Sequence, residues 1–116
     1  MLFLTMAQVS PPDEMAIEQQ YVAANVRSAM AIGEARAAAL IAAARRNLPV
    51  HEYQPSEVKQ SVTGFGGAPK EQVQQMVALQ LALDEPPEPA DAADALAMAI
   101  TRLGEARFDA LVPGAR

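Results

Sequence analysis

The sequence predicts an α/β fold in which a strand-helix-strand unit is followed by three helices. Two short runs of strand character, around Met15-Ala16-Ile17 and Pro49-Val50-His51-Glu52-Tyr53, bracket one long stretch of strong helix formers. Helical patterns then recur three times, punctuated by the glycine-rich Gly64-Phe65-Gly66-Gly67 and the proline-rich Asp84-Glu85-Pro86-Pro87-Glu88-Pro89. Successive strands joined through a helix favour a right-handed parallel crossover.

Each element has its own signal. Pro11-Pro12 ends any helix over residues 2–9 and turns the chain into a strand from Glu14 to Gln20. Asn25 is a plausible N-cap for a helix reaching about Asn47. Along that helix Val26, Met30, Gly33, Ala37, Leu40, Ile41 and Ala44 form one apolar stripe. Ala29, Gly33 and Ala37, spaced by four, carry almost no bulk, so another backbone can approach there. Pro49 to Tyr53 is the second strand. Ser56 is placed to cap a short helix through Val62, and Lys70 to Leu83 is a further amphipathic helix. The last helix runs from Asp91 to about Leu103, leaving Gly104 to Arg116 as a loose tail.

A chain of 116 residues is long enough for a single domain with one core. Much of its apolar content is alanine, with two tyrosines, three phenylalanines and no tryptophan, so the core should be built from small side chains. There is no cysteine, which excludes disulfides and thiolate metal sites. The apolar opening Met1 to Ala7 is far short of the roughly 20 residues needed to span a bilayer, and it lacks the basic start of a signal peptide. The expectation is a soluble cytoplasmic protein with no membrane partner.

The net charge of -5 argues against a nucleic-acid partner until its distribution is considered. Arg27, Arg36, Arg45, Arg46, Lys59 and Lys70 outnumber Glu34, Glu52 and Glu57 between residues 26 and 70, whereas acids dominate on both sides. A metal-dependent nuclease has this split, with acids at the metals and bases along the DNA path. A solvated acidic surface has it too.

Three carboxylates are candidates for a metal site. Glu18 interrupts an otherwise apolar strand, where an acid is costly to desolvate without a partner. Asp91 and Asp94, three residues apart, share a helix face. Brought together they are hard oxygen ligands suited to magnesium or manganese. Taken alone the aspartates are what helix capping and the helix dipole already favour, and an edge strand facing water also accounts for Glu18. Tyr21 fits packing or nucleobase stacking. Lys59 and Lys70 flank the glycine-rich loop, whose amides suit a phosphate, although the loop lacks the Walker pattern. The lone His51 reads as structural.

Five segments in register resemble one family. They are Ala16-Ile17-Glu18-Gln19 with Tyr21; Asn25 with Ser28-Ala29 and Gly33-Glu34-Ala35-Arg36; Val58-Lys59-Gln60-Ser61-Val62-Thr63-Gly64; Lys70 with Gln72-Val73; and Ala90-Asp91-Ala92-Ala93-Asp94-Ala95-Leu96-Ala97. From about Asp13 to Leu103 their order and spacing resemble RuvC, the bacterial Holliday-junction resolvases. The resemblance implies a ribonuclease H-like fold and a homodimer that cuts opposing strands of a four-way DNA junction with magnesium or manganese. By that resemblance Glu18, Asp91 and Asp94 are the catalytic metal ligands, while Tyr21, Lys59 and Lys70 contact DNA and the helix from Asn25 supplies the dimer contact. Two ions about 3.5–4 Å apart would activate water and stabilise the leaving oxygen. The family works with the RuvAB branch-migration complex.

Family members begin with a strand bearing a first aspartate in a Gly-Ile-Asp-Pro-Gly-like motif, then two more strands and a helix. This sequence is expected to be a single partial domain lacking those strands, with cleavage impaired by the loss of one ligand. A non-catalytic dimeric junction-binding module is the alternative, and a small helical interaction protein the third.

Overall fold

Strand β1 (Met15–Glu18) and strand β2 (Val50–Tyr53) form a two-stranded sheet, joined through helix α1 (Val26–Arg45). Helices α2 (Pro55–Thr63), α3 (Lys70–Gln80) and α4 (Ala90–Leu111) follow. The computed structural model describes residues 11–19 and 25–114; Tyr21 and the stretch Met1 to Ser10 lie outside them. Met15 N–H donates to the Pro49 carbonyl at 2.9 Å and Gln19 N–H to the Tyr53 carbonyl at 2.8 Å. The same offset in sequence at both ends means that the strands run parallel, as the crossover argument requires.

The described chain divides into two compact units. One holds residues 11–15 and 25–51; the other holds Ala16–Gln19 and the chain from Glu52 onward. In the first, the Asn25 side chain accepts the Ser28 N–H at 2.8 Å, so the predicted N-cap is the observed one. Asn47, at φ 55°, closes the far end, where Leu48 N–H reaches the Ala43 carbonyl at 2.9 Å. The expected apolar stripe of α1 is only partly covered. Ala43 is buried and Ala29, Gly33 and Leu40 are half-buried, but Val26, Met30 and Ile41 are 76%, 60% and 59% exposed.

The second unit contains a core of small residues. Val58 and Val62 of α2, Val73 and Val77 of α3 and Ala97 of α4 pack together with Tyr53 and Ala68, and Ala16 of β1 lies against them. Ala93 and Ala97 are fully covered, so α4 presents a nearly flat line to its neighbours. All three helices contact one another.

Element boundaries moved in three places. Helix α2 starts at Pro55, not after Ser56. Gln54 occupies the cap position and its N–H donates to Glu57 Oε2 at 2.6 Å, while Pro55 needs no donor at the first helical position. Helix α3 stops at Gln80, short of Leu83, because Ala82 turns left-handed at φ 55° and Leu83 N–H closes onto the Ala78 carbonyl at 2.8 Å. Helix α4 runs through Gly104 to Leu111, over most of the expected tail. Glu105-Ala106-Arg107 are good helix formers, and the Tyr53 hydroxyl donates to Glu105 Oε2, tying this turn to β2. Among the described residues no helix is long and apolar enough to cross a membrane.

Two predictions follow from the extended helix. A Cβ at Gly104 would meet nothing within 4 Å. Gly104→Ala should therefore stabilise the chain by about 0.5–1 kcal/mol, read as a higher urea midpoint. Burial raises the Tyr53 hydroxyl above its ordinary pKa of 10.0, and the Glu105 hydrogen bond adds to this, against an opposing effect of Arg102. The folded state therefore holds this proton more tightly than the unfolded state, and stability falls as pH rises above the unfolded value. Denaturation midpoints should decline in that range, and Tyr53→Phe should flatten the decline.

Candidate functional site

Strand geometry sets the first side chain of the site. Ala16 and Glu18 are two apart and share one face of β1; Ala16 touches the core, so Glu18 stands one step further along the same face. On α4, Asp94 shares its side with Ala97 and Met98, three and four residues on. On α2, Lys59 follows the buried Val58. On α3, Lys70 is the first residue of the helix and shares a line with Val73 and Val77, both buried.

These positions converge. Glu18, Lys59, Lys70 and Asp94 line one pocket of about 260 Å³, whose floor is Pro55, Val58, Val73, Ala97 and Met98. Two acids and two bases therefore ring an apolar base within the second unit. Lys70 Nζ lies 3.4 Å from Asp94 Oδ2, with the two side chains 54% and 46% exposed. A pair this open to water contributes little to stability. Its place is still informative. A lysine in the first turn opposes the helix dipole, which favours acids there, and Asp94 offsets that charge from α4.

The structure brings four of the six candidate residues to one pocket. Glu18 and Asp94 reach the same pocket, and so do Lys59 and Lys70. Asp91 does not line it. Asp91 is exposed in the first turn of α4 and is not its cap, since Pro89 holds the cap position without a side-chain bond. Glu18 is exposed, not buried in an apolar strand, because it is the last residue of a four-residue strand. Tyr21 lies outside the described residues. Among those residues no group of three or more His, Asp or Glu side chains is gathered to hold a metal. The donors that do converge are hard carboxylate oxygens, the right chemistry for magnesium or manganese, but they number two.

Sequence reasoning missed the Lys70 to Asp94 pairing. The residues are far apart in the chain, and only the packing of α3 on α4 joins them. His51, expected to be structural, has its Nε2 3.4 Å from Glu14 Oε2 in the first unit.

The family model described as crossover junction endodeoxyribonuclease RuvC matches residues 4–102. The chain is 55% identical to RuvC of Heliobacterium modesticaldum over 89 residues, covering 77% of this chain and 55% of that protein. It is 50% identical to RuvC of Dehalococcoides mccartyi over 101 residues, covering 87% of this chain and 60% of the relative. The structure of Thermus thermophilus RuvC in complex with Holliday junction substrate superposes with a TM-score of 0.81 at 39% identity, covering 90% of this chain and 64% of that one. The chain thus spans between 55% and 60% of the length of these two relatives. Its α/β architecture is that of the ribonuclease H-like RuvC fold, and the chain belongs to the crossover junction endodeoxyribonuclease RuvC family.

Proposed function

We propose that this chain binds four-way DNA junctions and carries part of the metal-dependent apparatus that hydrolyses their phosphodiester bonds. The single observation behind this reading is the pocket in which Glu18 and Asp94 face Lys59 and Lys70. A phosphodiester seated there would meet carboxylates able to hold a cation and ammonium groups able to neutralise its own charge. The Thermus relative solved with Holliday junction substrate supports the choice of DNA.

In this reading Glu18 and Asp94 are metal ligands, and Asp91, one turn before Asp94 on α4, is the third. Magnesium or manganese, as a pair of ions, would supply an activated water and charge stabilisation at the leaving oxygen. The chain's own residues do the rest. Lys59, with no ion-pair partner among the described residues, is available to a backbone phosphate. Lys70, 3.4 Å from Asp94, would be free to meet a phosphate if that carboxylate held a cation. The apolar floor of Val58, Val73 and Ala97 limits water around the reacting group. Tyr21 is the proposed stacking residue at the opened junction. The exposed face of α1, with Val26, Met30 and Ile41, supports dimerisation through that helix. The RuvAB branch-migration complex is the proposed cellular partner.

The convergence of two rather than three carboxylates favours a second reading, in which the chain binds junctions without cutting them. One set of measurements separates the two. In the nuclease reading, isothermal titration with manganese gives site-specific heat that Glu18→Gln and Asp94→Asn remove, and Glu18→Gln lowers junction cleavage by about 10²-fold or more. Junction binding without metal heat or cleavage would leave the binding module.

Lysine contacts have their own signature. Lys59→Ala combined with Lys70→Ala should weaken junction binding and reduce the slope of log affinity against log salt by roughly 2, measured by anisotropy of a labelled junction. An unchanged slope would remove both lysines from the DNA path.

A further inference from the structure

Phe65 is a large aromatic side chain left 59% exposed at the tip of the loop between α2 and α3. Three features hold it there. Gly64 ends α2 in the left-handed region at φ 84°, a conformation glycine adopts without strain. Thr63 Oγ1 donates to the Lys59 carbonyl at 2.8 Å and accepts the Phe65 N–H at 3.1 Å, and Ala68 N–H donates to the Phe65 carbonyl at 3.1 Å. The ring lies over Gly67, where a Cβ would come within 3.0 Å of Cζ. The loop backbone is thus held by hydrogen bonds, and the missing side chain at residue 67 leaves room for the ring.

Its surroundings indicate what the ring meets. The two lysines that line the pocket flank this loop in sequence, Lys59 on the helix that enters it and Lys70 at the start of the helix that leaves it. Positive charge beside a fixed, exposed aromatic face is the pattern by which proteins hold a strand whose bases are unstacked. An aromatic ring already held in place loses little freedom on binding, so most of the stacking is retained as affinity.

We propose that Phe65 stacks on an unpaired nucleobase of the DNA strand whose phosphates lie against Lys59 and Lys70. The inference rests on the junction-binding reading above and adds to it a contact that the lysines do not make. It commits to DNA as the occupant because the two lysines that flank the loop suit backbone phosphates and the Thermus relative was solved with Holliday junction substrate.

The chain has no tryptophan, so Phe65→Trp installs a single fluorescent reporter. It is titrated with a synthetic four-way junction while the anisotropy of the labelled DNA is followed in parallel. The expected result is quenching of tryptophan emission in step with anisotropy. Phe65→Ala and Phe65→Leu should each weaken binding about 5- to 100-fold with the salt slope unchanged, since no phosphate contact is lost. Junction binding with unaltered tryptophan emission, or Phe65→Leu binding as tightly as the parent, overturns the stacking role and leaves junction binding intact. Emission that responds to protein concentration without DNA assigns the ring to a contact between copies and also overturns it. Absence of junction binding by the parent chain defeats both readings together.

Discussion

The close approach of α4 to α2 and α3 is the constraint on which the pocket depends. Ala93 and Ala97 offer almost no side-chain volume, so the valines of the two neighbouring helices reach the α4 backbone line. Side chains one position away from these contacts are thereby brought to a common rim. Asp94 sits beside Ala93, Lys59 beside Val58, and Lys70 one turn before Val73. Replacing the alanines by larger residues would separate the helices and disperse the charges, because an interior packed at crystal-like density has little slack.

Two of the charges on that rim oppose each other directly. Lysine and aspartate already compensate across α3 and α4 at a partly exposed site. Such a pair is weak enough to exchange partners. A cation drawn to Asp94 and a phosphate drawn to Lys70 would each replace one half of it. The same economy is absent at Tyr53, where a buried hydroxyl donates to Glu105 and fixes the distal half of α4 to β2. One contact is suited to change and the other to hold the frame.

Much of the architecture was legible because local patterns agreed with the final packing. The parallel strand-helix-strand unit, the Asn25 cap and the glycine at the end of α2 all follow from nearest-neighbour chemistry. The errors have equally local causes. Gly104 looked like a helix end, yet a tertiary hydrogen bond one residue on and good helix formers beyond it carried α4 to Leu111. The Ala82 turn that ended α3 early has no signal, since alanine rarely adopts a left-handed conformation. Of the pocket's lining, Glu18, Asp94, Lys59 and Lys70 were singled out through the resemblance, whereas the exposure of Glu18 and the absence of Asp91 from the pocket were not legible.

The sequence by itself determined the element types, the division of charge, and membership of a family whose motifs lie in register. Those properties depend on short-range steric preference and on the order of residues, both of which are written along the chain. Only the tertiary structure decided that Glu18 and Asp94 share a pocket, that Lys70 pairs with Asp94, and that Phe65 is left exposed on the loop between α2 and α3. These are distances between residues remote in sequence, and they are set by how closely small side chains allow helices to pack.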